Sequence, residues 1–198
     1  MDGDISHATG NAGKLQEFRA LLAPFGSRIC SLGDLGLPEP EETESSFAGN
    51  ALLKARAGAT ASGLPTLADD SGLVVAALGG SPGIFTADWA ENGVGRSFDL
   101  AMAKTWALLE AVGGGEPQVA EFRCVLAVAW PDGASEVFEG RLEGRIVWPM
   151  RGQFGHGYDP IFQPDGQFLT CGELPPEIKN RISHRADAFQ KLIAGCFT

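Results

Sequence analysis

The sequence predicts an α/β fold: a mixed central β-sheet flanked by helices. Two observations carry this. Strand-like and helix-like segments alternate through the first half of the chain, as they do where helices pack on a sheet. In the second half, Pro131-Asp132-Gly133 is a turn signal between two apolar runs, so a hairpin joins that sheet and mixes its strand directions. At 198 residues the whole chain, 1–198, reads as a single domain with room for two lobes.

The elements follow in order. Residues 5–9 form a short strand. Residues 13–25 form a helix, because Leu15, Phe18, Leu21, Leu22 and Phe25 recur at helical spacing, with Pro24 and Gly26 at its end. Residues 32–44 are an acidic Pro/Gly loop. Ser45 or Ser46 caps a second helix that reaches Ser62. The apolar run 64–68 is a buried strand that stops at Asp69-Asp70-Ser71-Gly72, and 73–78 is a separate strand after that turn. A loop at 79–83 follows, then a helix over 97–112 stopped by three glycines. Strands over 121–130 and 135–140 make the hairpin, 145–149 adds another, and 183–197 is the last helix.

Composition narrows the function. With 25 acidic against 15 basic residues the net charge is −10, which argues against a nucleic-acid partner because that requires a basic face. Every apolar run is interrupted too early for a membrane span, so no membrane partner is expected. The acidic start, without a basic segment before an apolar one, points to the cytoplasm. Cys30, Cys124, Cys171 and Cys196 are scattered, with no zinc-ligand spacing.

Four groups of residues carry chemistry. Asp69 and Asp70, at the end of their strand, sit where ligands of open α/β sheets bind, and paired acids there suit a divalent cation and a water. Thr9-Gly10-Asn11-Ala12-Gly13-Lys14 joins a strand to a helix start, where backbone N–H groups and a lysine attract phosphate; it is neither GxxxxGK[ST] nor GxGxxG. Glu41, Glu42 and Thr43 precede Phe47, Asn50 and Lys54, which share one helical face. By themselves Asn50 and Lys54 read as solvated, and the glutamates gain meaning only if they meet Asp70 around a hard cation. Finally, Gly155-His156-Gly157-Tyr158-Asp159 reads either as a tight turn or as a loop whose ring can stack on a base, and after Lys179 the pair His184 and Arg185 reads either as a surface feature or as donors able to meet a keto oxygen.

These groups, in this order, resemble the noncanonical purine nucleoside-triphosphate pyrophosphatase family, the inosine triphosphatases or ITP/XTP pyrophosphatases. The matching stretches are ATGNAGK at 8–14, EET at 41–43, NALLKAR at 50–56, LADDSGL at 67–73, LGGSPGI at 78–84, GYDPIF at 157–162 and KNRISHR at 179–185. The resemblance implies two lobes with the active-site cleft between them, a homodimer, and Mg²⁺-dependent hydrolysis of ITP, dITP and XTP to the monophosphate and pyrophosphate. It implies that Thr9, Gly10, Asn11, Ala12, Gly13, Lys14 and Lys54 hold the triphosphate. Asp70 and one of Glu41 and Glu42 would bind Mg²⁺. Asp69 and Asp70 would orient and deprotonate the attacking water, with Asp70 as base. Ser71, His156, Gly157, Tyr158, Asp159, Lys179, His184 and Arg185 would contact substrate. The chain departs from the family pattern at His156, where a Phe is usual, and at Gly49, Asp88 and Ala101. His156 and Asp88 leave open a related enzyme acting on a modified pyrimidine triphosphate. The acidic surface leaves open a nucleotide-binding module that does not hydrolyse.

Overall fold

The computed structural model describes residues 4–8, 14, 15, 18, 19, 22–26, 28–113 and 115–197. Thr9, Gly10, Asn11, Ala12 and Gly13 of the phosphate-loop expectation lie outside the described residues.

Six strands form one mixed sheet in the order β2-β1-β3-β4-β5-β6. They are β1 (Asp4–His7), β2 (Arg28–Ser31), β3 (Thr66–Val75), β4 (Gln118–Ala129), β5 (Ser135–Ile146) and β6 (Phe162–Pro164). β1 runs parallel to β2, with Ile5 opposite Ile29, and parallel to β3, with Ser6 opposite Thr66. β6 is antiparallel to β5, with Ile146 opposite Phe162. Four full helices are described: α1 (Phe47–Ser62), α2 (Phe98–Ala111), α3 (Pro176–Ile182) and α4 (His184–Cys196). Lys14, Leu15, Phe18, Arg19 and Leu22 are also helical, and a 3₁₀ turn over Ala23–Phe25 ends at Gly26 with φ 72°. The mixed α/β sheet matches the expectation.

The structure departs from the sequence reading at the acid pair. Asp69 and Asp70 do not end a strand: β3 continues through Ser71 and Gly72 to Val75, so the pair lies in mid-strand. Asp-Ser-Gly carries turn propensity, but an extended pairing partner overrides it. The hairpin turn is where it was expected: Trp130 N–H bonds to Ala134 C=O at 2.9 Å, and Gly133 sits at φ 95°. β5 is one strand of 12 residues rather than two, and β2 and α3 are additions.

The chain divides into two compact units, described separately. The first is Met1–Asp70, Cys124–Glu139 and Ala188–Thr198; the second is Ser71–Arg123 and Gly140–Asp187. The first is built on Ile5, Phe18, Leu22, Leu67, Leu126 and Leu192, the second on Leu73, Met102, Leu109, Phe122, Ile146 and Phe162. Burial of such clusters away from water is what holds each unit together.

In the first unit α1 is positioned with little freedom. The Ser46 hydroxyl accepts from Gly49 N–H at 3.1 Å and caps the helix start, and Gly63, at φ 68°, closes the other end. Its buried face is Phe47, Asn50, Ala51, Lys54, Ala55, Gly58 and Ala59, mostly small residues. Those small residues let the helix lie close on β3: a Cβ on Gly58 would stand 2.6 Å from Thr66 Cγ2. No helix among the described residues is long and apolar enough to cross a membrane.

Candidate functional site

The pleat of β3 decides what the two adjacent acids can do. Successive side chains on a strand point to opposite faces of the sheet. Leu67 packs in the core with Phe18, and Asp69, two residues on, shares its face. There its carboxylate meets Lys14 Nζ at 2.6 Å. Thr66 faces Gly58 of α1, and Asp70, four residues on, faces α1 as well, where Asn50 Nδ2 donates to its Oδ2 at 3.1 Å. The two carboxylates therefore serve two different helices on opposite faces.

Around Asp70 the first unit gathers a compact polar cluster. Asn50, 2% exposed, donates to Asp70 and accepts on Oδ1 from the Glu44 backbone N–H at 2.9 Å. Lys54, also buried, donates to the Glu42 carboxylate and to the Asp69 carbonyl oxygen at 2.7 Å. Burial, reinforced by the nearby Glu42 charge, pushes Asp70 up to about 6, while Lys54, Asn50 and Lys14 pull it the other way. Of the two glutamates in the loop, Glu42 is thus the one joined to Lys54 and felt by Asp70. Glu41 is exposed.

Asp70 and Glu42 are hard oxygen donors of the kind Mg²⁺ takes. Among the described residues no three His, Cys, Asp or Glu side chains are gathered closely enough to hold a metal alone. A pair of carboxylates nevertheless fits this ion, which keeps waters and is completed by substrate phosphates.

The second unit holds a separate cluster. Asp159 is 3% exposed; its Oδ2 accepts from the His156 backbone N–H at 2.7 Å and from Lys179 Nζ. Gly155, at φ 76°, leaves space for this: a Cβ there would collide with Asp159 Oδ2 and come within 3.1 Å of Lys179 Nζ. His156 is exposed, as is Phe154 two residues before it. Tyr158 lies inside the core, 1% exposed, with its hydroxyl 3.3 Å from the Thr86 carbonyl oxygen and its ring edge-on to Phe98. Burial pushes its phenol up to about 12. At the start of α4, Ser183 Oγ accepts from Ala186 N–H at 3.1 Å, His184 stacks on Phe122 at 5.2 Å, and Arg185 is 8% exposed. Ser71 is half-buried on β3, just past Asp70.

Sequence reasoning set Asn50 aside as solvated, and the structure corrects that. The signal was present in its spacing four residues before Lys54, on the face that also carries Phe47.

Comparison with known proteins gives the family. The model of the Ham1 family matches residues 5–195. A Ruegeria pomeroyi protein named dITP/XTP pyrophosphatase is 53% identical over 198 residues, covering 100% of this chain and 97% of that relative. A Caulobacter vibrioides protein of the same name is 54% identical over 197 residues, covering 100% of both. Among solved structures, a HAM1 protein from Coxiella burnetii superposes with a TM-score of 0.91 at 37% identity, covering 98% of each chain. The Staphylococcus aureus Ham1 protein gives 0.86 at 35% identity, covering 97% of each. With a match that runs from β1 into α4, and half of its residues shared with full-length relatives, this chain belongs to the Ham1 family.

Proposed function

We propose that this chain is a nucleoside-triphosphate pyrophosphatase that hydrolyses the noncanonical purine triphosphates dITP, XTP and ITP to the monophosphate and pyrophosphate. The observation that carries this is Asp70: a buried carboxylate raised to about 6, set among Asn50, Lys54 and Glu42, in a chain half-identical to relatives named dITP/XTP pyrophosphatase.

Asp70 is the general base. Its carboxylate is buried in the polar cluster, held by Asn50, and is the group placed to take a proton from water there. A water adds to the α-phosphorus, its proton passes to Asp70, the bond from that phosphorus to the α–β bridging oxygen breaks, and pyrophosphate leaves. Lys14 and Lys54 offset the charge that develops on the phosphates. Asp70 and Glu42 are the residues that would hold Mg²⁺, which would neutralise charge on the phosphates. Asp69 anchors Lys14 and, with Asp70, orients the attacking water. The family resemblance adds His184, Arg185 and Lys179 as contacts to the base or phosphates, donors that a keto oxygen would satisfy and an adenine amino group would not. A site built on hydrogen bonds discriminates by up to ~10⁴ on such grounds. The resemblance adds a homodimer and a cytoplasmic setting to this reading.

The test is pyrophosphate release from ITP, XTP, dITP, ATP, GTP and dUTP, with Mg²⁺ and with EDTA. Metal-dependent release from the first three, with little from ATP or GTP, supports the proposal. Faster turnover of dUTP favours a pyrimidine target, and tight ITP binding without release favours a sensor; either overturns it.

A further inference from the structure

Asn50 joins two parts of the chain that the proposed chemistry needs together. Its side-chain amide is used at both ends. Oδ1 accepts from the backbone N–H of Glu44, two residues after Glu42, at 2.9 Å. Nδ2 donates to Asp70 Oδ2 at 3.1 Å. The first bond settles which end of the amide is which, because a backbone N–H needs an acceptor, so the donor end must face Asp70. The residue is 2% exposed and sits on α1, whose register on β3 is set by the close approach of Gly58 to Thr66. The amide is thus held by a rigid element, not by a mobile loop.

We infer that Asn50 is a positioning residue: it fixes the plane of the Asp70 carboxylate and, with the same amide, ties down the 42–44 segment that carries Glu42, so that it orients the two carboxylates that would hold a cation. The geometry has a clear consequence. An Asn→Asp change keeps the acceptor for Glu44 N–H, loses the donor, and sets a second carboxylate against Asp70. An Asn→Ala change loses both bonds. Groups that orient carboxylate ligands in this way are worth about 10–100-fold in metal affinity or activity.

The inference rests on the proposed function, and the experiment separates the two. Wild type, N50A, N50D and S46A are compared in two assays: the Mg²⁺ concentration that gives half of the thermal upshift without nucleotide, and kcat and KM for dITP. S46A is the structural control, since it removes the α1 cap and touches neither Asp70 nor the Glu44 N–H. In N50A the Mg²⁺ midpoint is expected to rise about tenfold and kcat to fall about 10–100-fold, with KM for dITP within threefold. N50D is expected to lose at least as much kcat as N50A. S46A is expected to lose stability and keep the wild-type midpoint and kcat. A wild-type midpoint with wild-type kcat in N50A, or wild-type kcat in N50D, overturns the inference. So does an S46A variant that loses Mg²⁺ affinity as N50A does. If N50A does not fold, N50D, which keeps side-chain volume and the Glu44 bond, decides alone. A wild-type protein inactive on every triphosphate overturns the proposed function instead, and the Mg²⁺ midpoints still read the inference.

Discussion

Asp70→Asn should make the metal-free protein more stable while removing its activity. In the fold Asp70 titrates at about 6 rather than 3.8, first because it is buried and then because Glu42 is near. A carboxyl whose folded value is raised binds its proton more tightly in the native state. Its stabilising contribution is therefore full below 3.8 and is lost as the pH rises through about 6. At 1.36 kcal/mol for each pH unit, the ionised group costs the apo fold up to about 3 kcal/mol at pH 7.5. Asparagine is nearly isosteric and carries no charge, and its carbonyl can still accept from Asn50. Its amide needs an acceptor, which takes back about 1 kcal/mol. The net gain is about 1–3 kcal/mol, or about 2–10 °C in a domain of this size. Differential scanning calorimetry in EDTA reads it. The variant should melt above wild type at pH 7.5, and the gap should narrow as the pH falls through about 6 and close below 3.8, where Asp70 is protonated in both states. Adding Mg²⁺ at pH 7.5 should raise wild type and leave the variant nearly unmoved. A variant no more stable than wild type at pH 7.5, or offset equally there and below 3.8, would refute the electrostatic argument.

Other expectations follow from single contacts. Gly155→Ala puts a Cβ at φ 76° against Asp159, so it should cost about 2 kcal/mol or more in urea unfolding; a cost below about 0.5 would mean that the Asp159–Lys179 pair shifts freely. Gly58→Ala should cost about 1–3 kcal/mol, because Thr66 is β-branched and its hydroxyl is held by Ser6 at 2.5 Å, leaving it no easy way to yield. Tyr158→Phe should cost about 1 kcal/mol and leave KM within threefold, since the hydroxyl bonds the Thr86 carbonyl inside the core; a tenfold rise in KM would give the phenol to the substrate. Lys54→Met should move the apo titration of Asp70 upward, because Lys54 holds it down; an unchanged pH dependence of stability would exclude that charge contact.

Parts of this protein are legible one segment at a time. α1 announces itself at both ends, with Ser46 as cap and Gly63 as stop, and the structure begins and ends it there. The helical face of Phe18 and Leu22, and the Pro131-Asp132-Gly133 turn, are local patterns of the same kind. β2 is not legible, because Arg-Ile-Cys-Ser has no strand pattern of its own and becomes a strand by lying beside β1. In β5, Gly140 and Gly144 read as breaks. The structure uses Gly144 as a place of close approach, where a Cβ would stand 2.9 Å from Phe162 Cζ. α3 begins at Pro176 directly after Pro175, a pair that reads as loop but suits a helix start.

What the sequence by itself determined was the kind of chemistry available: the acids at 69 and 70, the glutamates at 41 and 42, the lysines at 14 and 54, and the alternation that makes an α/β sheet. These depend on residue type and local spacing. What only the tertiary structure decided was how those groups divide. Asp69 and Asp70 are neighbours in the chain, yet the strand runs through them, and its pleat sends one to Lys14 and the other to Asn50. Asn50 is an unremarkable helix residue until α1 packs on β3, and Tyr158 an exposed-looking ring until Phe98 and Thr86 enclose it. Which face a side chain takes, and what it meets there, depends on partners distant in the sequence, and only the packed chain brings them together.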